Sequence, residues 1–389
     1  MNIFKTLQQS DRAQSLAWFV LFIVVGLLLW LGVAPAPLKL LVDDIENDGP
    51  NAVGLDDITQ NYYDALLEPD REPQLDLEGP LGNFLRAIRG KSEKSQKGTW
   101  VSIAVLGATN DYEGGFMTHD LKPNLEVIHK GTLVKTNRWG HRDSDDYGKE
   151  KPEGTFRIAL IGGSNTMGSG VDIEDTLATL IEQRLNEELG GTHHDRYEIV
   201  NLAVSAYHLL DRLWAAMYVA PEFNPDLILV SITARDLRRA VHRGVAERLT
   251  AGRDLHYDFI KTIVAQSGAQ ESNSELKAEQ RLKRYSDNLI TGIFQELNRF
   301  SDESGIPVGM LVLRLEINAV HPDLRWQAQA SENAGLITLP IFEAFEGGDE
   351  SMYLSDRDFH PSTKAHKLLA DDIYQQLLNH DQVAPLLQP

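Results

Sequence analysis

Phe156-Arg157-Ile158-Ala159-Leu160-Ile161-Gly162-Gly163-Ser164-Asn165-Thr166 reads as a buried strand that ends on two glycines and delivers a serine. Glycines at a strand end let the backbone turn without a Cβ clash. Residues 175–189, just beyond, have the apolar spacing of an amphipathic helix. A serine in this position lies at the carboxyl edge of a sheet, where open α/β sheets bind ligands. Ser164 is therefore a candidate nucleophile, and the rest of the chain must supply a base, an orienting acid and oxyanion donors.

From residue 157 onward strands and helices alternate. The strand patterns fall at 157–161, 197–203, 226–232, 307–315 and 336–339, and the helical ones at 175–189, 209–219, 275–300, 326–333 and 363–378. That alternation predicts a flavodoxin-like three-layer α/β/α fold with a parallel sheet over 151–389. The segment 238–273 is polar and weakly periodic; it reads as an insertion, either a candidate lid or a surface excursion. Upstream, 99–150 carries strand-like pieces at 100–106 and 125–134 that lead into the main domain.

The first hundred residues have a different character. Residues 16–34 form an uncharged apolar run, long enough to cross a bilayer as one helix, with Trp18 and Trp30 toward its ends. Ala34-Pro35-Ala36 has the small-x-small look of a signal-peptide cleavage site. Pro37 and the length of the run favour an uncleaved anchor instead. Lys5 and Arg12 before the run, with Asp43, Asp44, Glu46 and Asp48 after it, put residues 1–15 in the cytoplasm. The expected location is the inner (cytoplasmic) membrane, single-pass, with the main domain periplasmic. Residues 35–98, acidic and broken by prolines, read as a stalk or spacer.

Composition excludes several chemistries. The chain of 389 residues has no cysteine, which removes thiol catalysis, cysteine zinc sites and disulfides. A formal net charge of −20 argues against a nucleic-acid partner. The glycine loop at 162–170 lacks the Gly-Lys-Ser/Thr ending of a P-loop and the Gly-x-Gly-x-x-Gly of a dinucleotide site, so no cofactor is expected. His193-His194-Asp195 resembles a metal cluster but has no second ligand pair, and a solvated turn is the better reading. No metal is expected, and protein partners are not legible.

Four blocks carry one chemistry: Gly162-Gly163-Ser164-Asn165-Thr166, Asn201-Leu202-Ala203-Val204-Ser205-Ala206-Tyr207, Thr233-Ala234-Arg235-Asp236 and Asp358-Phe359-His360-Pro361-Ser362. In this order the chain resembles the SGNH/GDSL hydrolases over residues 137–378. It also looks like a membrane-anchored, extracytoplasmic subgroup in which Lys122-Pro123-Asn124 and an Asn-x-x-Gly-x-Arg-Asp segment, Asn137 to Asp143, precede the serine strand. The resemblance implies Ser164 as nucleophile, His360 as base and an acid to hold the imidazole. The family's usual acid position is occupied by Arg357, which leaves Asp358 as the acid and Asp356 in reserve.

The resemblance further implies oxyanion donors at Ser164, Ala206 and Arg235. The family's usual residues at the last two places are glycine and asparagine. An arginine where an amide is expected means either a retuned site or an inactive one, and Arg235 could equally form an ion pair with Asp236. Asn201 reads as a buried structural amide and His366 as a packing residue of the last helix. The implied activity is that of a membrane-anchored esterase or acyltransferase on acyl esters, acetyl esters above all, of a cell-envelope or exported polysaccharide. The other reading is a non-catalytic glycan-binding or assembly protein that kept the fold.

Overall fold

The computed structural model describes residues 103–104, 106–143, 147–236, 238–317, 320–356 and 358–388, without the side chains of residues 235 and 238–240. The expected cytoplasmic segment, anchor and stalk (1–15, 16–34 and 35–98) lie outside the described residues. Among the described residues no helix is long and apolar enough to cross a membrane.

Two antiparallel hairpins come first, β1 (Thr109–Asp111) with β2 (His119–Leu121), and β3 (Glu126–His129) with β4 (Thr132–Lys135). The pattern at 125–134 reads as one strand, but it folds back on itself. Lys130 and Gly131 take φ of 51° and 82°. Two positive φ values in a two-residue loop match the right-handed twist of the flanking strands and reverse the chain in place. At 103–107, where a strand is also expected, the described residues form turns.

The main sheet has β5 (Thr155–Ile161), β6 (Arg196–Asn201), β7 (Leu227–Thr233), β8 (Val308–Leu313) and β9 (Ile337–Ile341), all parallel, in the order β6-β5-β7-β8-β9. Every residue of β5, β7 and β8 is buried. Strand alternation divides them between two cores: Ala159, Ile161, Val230 and Val312 face one way, and Ile158, Leu160, Leu229 and Leu311 the other.

The second core is closed by α2 (Leu177–Leu189), α9 (Thr363–Asn379) and the short α10 (Ala384–Leu387). The first is closed by α3 (Leu209–Trp214), α4 (Arg238–Thr250), α5 (Asp258–Ser267), α6 (Glu275–Leu282), α7 (Ser286–Ser304) and α8 (Pro322–Asn333). A single-turn α1 (Ser164–Met167) follows β5 directly. The result is the expected parallel sheet with helices on both faces.

Two helical patterns and the polar insertion resolve differently from their sequence reading. The run 275–300 breaks where Tyr285 leaves helical geometry (φ −102°, ψ 11°) and the Ser286 hydroxyl donates to the Lys283 carbonyl at 2.7 Å. Residues 209–219 begin as α3 and continue as a π-helical turn, Ala215–Val219. The polar segment 238–273 contributes α4 and α5, whose Val241, Val245, Ile260 and Val264 lie in the core. Its charge hid that role, since Arg248 is itself fully buried and donates to the fully buried Asp211 at 2.5 Å.

Candidate active site

β5 is flanked by β6 on one side and β7 on the other, so the chain reverses its direction of strand addition at the carboxyl end of β5. Crevices at such switch points are where open α/β sheets take ligands. Ser164 stands there as the first residue of α1.

The two glycines before it are required by close approach. A Cβ on Gly162 would lie 2.3 Å from Ser231 Oγ and 2.4 Å from Thr166 Oγ1; a Cβ on Gly163 would lie 2.6 Å from Arg212 Nη2. Arg212 is buried and fixed, donating to the carbonyls of Ser231 (2.9 Å) and Tyr207 (3.0 Å) and to Asp236 Oδ1 (2.7 Å). It thus ties together three of the four blocks around the serine.

Arg142, from the Asn-x-x-Gly-x-Arg-Asp segment, supports α1 from its other end. Its guanidinium donates to the carbonyls of Met167 (3.0 Å), Gly168 and Val171 (2.6 Å), at the last residue of the one-turn helix and in the turn that follows it. Burial lowers its pKa to about 10, where it is still cationic at neutral pH. The neighbouring Asp143 accepts from the Asn201 N–H at 2.8 Å, which joins the same segment to the end of β6.

His360 lies in the loop between β9 and α9. Its Nε2 is 2.8 Å from Ser164 Oγ, and its Nδ1 is 2.5 Å from Asp358 Oδ1. His360 sits at a bend in the chain, and a turn closed by the carboxylate two positions before it brings that acid onto its ring. The same Oδ1 also accepts the His360 backbone N–H at 3.2 Å. The loop is pinned by the Leu354 N–H to the His360 carbonyl (3.0 Å) and the Ser362 N–H to the Met352 carbonyl (2.9 Å). Asp356, the reserve acid, is exposed.

Asp358 is buried, which by itself would raise its pKa. The hydrogen bond and charge of His360, together with the charge of Lys130, outweigh burial and hold the carboxyl well below its ordinary range. Lys130, at the tip of the β3–β4 turn, places Nζ 2.8 Å from Asp358 Oδ2 and 2.9 Å from His360 Nδ1. Nothing in the sequence marks this residue as part of the site. In the sequence it falls inside the strand pattern at 125–134, and only the fold brings it to the histidine.

On the oxyanion side, Ala206 takes a left-handed φ of 64°, the conformation glycine favours, at the place where the resemblance expects glycine. His119 Nε2 lies 2.9 Å from the Ser205 carbonyl and donates to it. Because a peptide is planar and trans, this fixes the Ala206 N–H in the opposite direction. His119, from β2, is a second positioning residue that sequence reasoning missed. The Arg235 side chain lies outside the described residues, and its backbone forms a 3-10 turn with Ala234 and Asp236. Asp236 accepts from Arg212, from the Thr233 N–H (2.8 Å) and from Thr233 Oγ1 (2.9 Å). Among the described side chains Arg212 is the cation paired with Asp236.

The other singled-out polar residues have structural surroundings. Asn201 is buried and accepts from the Ala203 N–H at 3.1 Å. His366 accepts from the Leu177 N–H at 3.1 Å at the start of α2, and burial lowers its pKa to about 3, so it stays neutral. His194 packs against Phe156 and Tyr197. Among the described residues no group of His, Asp or Glu is arranged to hold a metal ion.

A cavity of about 360 Å³ opens beside the Ala206 loop, with Phe116, Trp139, Val204, Tyr207 and Trp214 in its wall. Asp120 and Glu113 lie at the same cavity.

No family model and no curated protein matches the sequence. Solved structures that resemble the chain include LAE5, an α/β hydrolase enzyme from the metagenome of Lake Arreo (14% identity, TM-score 0.38, covering 57% of this chain and 94% of that one). A variant of the acetyl xylan esterase Axe2 from Geobacillus stearothermophilus is 14% identical, with TM-score 0.37, over 59% of this chain and 96% of that one. The psychrotrophic esterase EstA from Pseudoalteromonas is 14% identical, with TM-score 0.36, over 57% and 95%. These neighbours are hydrolases and esterases. Similarity this low leaves the functional reading to rest on the chain's own side chains.

Proposed function

We propose that the protein is a serine esterase or acyltransferase of the SGNH/GDSL type. The observation that carries this reading is the unbroken line from Ser164 Oγ through His360 to Asp358, with contacts of 2.8 and 2.5 Å. A serine hydroxyl becomes a useful nucleophile only when a base takes its proton, and the base works only in the correct tautomer. The ionised Asp358 carboxylate can only accept, so Nδ1 carries the proton between them. Nε2 is then free to receive the proton from Ser164 Oγ.

In the reaction, Oγ bonds to the ester carbonyl carbon as its proton passes to Nε2. The oxyanion draws on the N–H of Ser164, unpaired at the start of α1, and the N–H of Ala206. Collapse breaks the bond to the alcohol oxygen, which takes the proton from Nε2 and leaves. Water or a sugar hydroxyl then repeats the sequence on the acyl-serine, giving hydrolysis or transfer.

An acyl ester on a cell-envelope or exported polysaccharide is the proposed substrate class. Its support is the anchor expected at 16–34, which would hold the domain on the periplasmic side of the inner membrane. Turnover of p-nitrophenyl acetate by the full-length protein tests the reaction class. Hydrolysis that disappears in Ser164→Ala is expected; a folded protein with no turnover would favour the non-catalytic glycan-binding reading.

A further inference from the structure

A lysine is an unusual neighbour for a base–acid pair, and Lys130 is in close contact with both members. Its side chain is 4% exposed, as is that of Asp358. It reaches them from an independent part of the chain, the β3–β4 hairpin, at a turn position with φ of 51°. Asparagine or glycine is the usual residue for that conformation. The fold therefore spends a disfavoured backbone position on placing an ammonium group here.

Proton placement follows from the partners. Asp358 Oδ1, 2.5 Å from Nδ1, needs the Nδ1 proton, so Lys130 donates to Oδ2 and faces an N–H dipole at 2.9 Å. Lys130 neutralises the charge that would otherwise favour the imidazolium, and it repels that imidazolium directly. Both effects favour neutral His360. Among the described residues His129 on the same hairpin and His366 on α9 also interact electrostatically with His360, and Ser164 Oγ lies at Nε2. Both of these histidines are held neutral by burial first, His129 then by Lys130 and His366 then by Arg142. Asp358 is the sole carboxylate in hydrogen-bond contact with the ring among the described residues, and Lys130 is the cation set against it.

We propose that Lys130 is a positioning residue for the Ser164–His360–Asp358 site, and that its charge extends the base form of His360 to lower pH. The proposal rests on the esterase reading and deepens it: the active range of the enzyme reaches into mildly acidic conditions because a hairpin outside the main sheet lends a cation to the triad.

The test is the pH profile of kcat/KM for p-nitrophenyl acetate, measured on the full-length protein as wild type, Lys130→Met, Lys130→Asn and Lys130→Arg. Asn is the decisive variant because it removes the charge while suiting the left-handed turn, so poor folding of the Met variant does not block the experiment. The acid limb of Lys130→Asn is expected to move up by about 1–2 pH units, with Lys130→Arg remaining near wild type. A profile of Lys130→Asn that is only scaled down, with its acid limb unmoved, overturns the proposal.

Titration of the 15N-labelled His360 ring by NMR gives the same comparison without turnover. If wild type lacks turnover while the His360 midpoint still rises in Lys130→Asn, the esterase reading fails and the electrostatic role stands. If both proteins turn over with coincident midpoints, the role of Lys130 fails and the esterase reading stands.

Discussion

Asp358 and His360 are separated by a single residue, yet the carboxylate of one meets Nδ1 of the other at 2.5 Å while Nε2 remains directed at Ser164. The bend at His360 makes this possible, because Asp358 Oδ1 also accepts the His360 backbone N–H at 3.2 Å and so folds its carboxylate onto the ring. The short spacing thus keeps the acid–base contact that a wider spacing supplies elsewhere.

Asp358→Asn is expected to lower kcat for p-nitrophenyl acetate by roughly 10³–10⁴-fold, because an amide permits the wrong imidazole tautomer. Asp356→Asn, at an exposed position, should stay within about twofold of wild type. Steady-state kinetics on the two variants side by side checks the assignment of the acid. Equal losses in both would count against it.

Gly162→Ala should destabilise the fold by about 1–3 kcal/mol, since the new methyl lands 2.3 Å from Ser231 Oγ and 2.4 Å from Thr166 Oγ1, atoms on short side chains with little room to withdraw. Urea unfolding monitored by circular dichroism measures the cost. An unchanged midpoint would show that the strand end is looser than these contacts imply.

Arg248→Leu leaves Asp211 fully buried without its main cation and should cost about 3–5 kcal/mol at neutral pH. Burial alone would raise the Asp211 pKa, but the charges of Arg248, His208 and His119 and the His208 backbone N–H hold it below its ordinary range. Its contribution is therefore present above the unfolded carboxyl value and fades as pH falls. The deficit of Arg248→Leu in urea unfolding should narrow on going from pH 7.5 to pH 4.5, because the isolated carboxyl can then protonate. A deficit that widens with acid would contradict the role given to the pair.

Burial lowers the pKa of His129 and His141 to about 4 and that of His366 to about 3. Unfolded histidines bind a proton near pH 6.5, so between about 6.5 and 4 the unfolded state holds more protons than the native one. Stability should be full above pH 7 and fall steadily through that window. His366→Gln can keep an acceptor for the Leu177 N–H and should make the decline shallower in urea midpoints taken at successive pH values. A wild-type midpoint that does not change from pH 7 to pH 5 would contradict these three environments.

How far the sequence could be read follows from where the physics was local. The strands of the main sheet are apolar runs buried on both faces, so their signal survives without knowledge of the neighbours. Gly162-Gly163-Ser164 and the Asp358-Phe359-His360 loop were visible because turn chemistry and reactive residue types coincide there. The supporting cations were not. Arg212 and Lys130 look like solvated charges in the sequence, Arg142 stands out there only as part of a motif with no role attached, and each gains its meaning from carbonyls or carboxylates brought near by the fold. The same applies to α4, where the buried Arg248 disguised a core helix as a polar excursion. The strand pattern at 125–134 was right in type and wrong in extent, because reversal there depends on a positive φ at Lys130 that a lysine rarely adopts.

The central claim is that Ser164 is a nucleophile activated by His360. Incubating the full-length protein with a fluorophosphonate, followed by intact-mass measurement and peptide mapping, tests it most directly. One adduct per chain is expected, located on Ser164, abolished by Ser164→Ala and strongly slowed by His360→Ala. A correctly folded protein that acquires no adduct on Ser164, under conditions that label a reference serine esterase to completion, would contradict it.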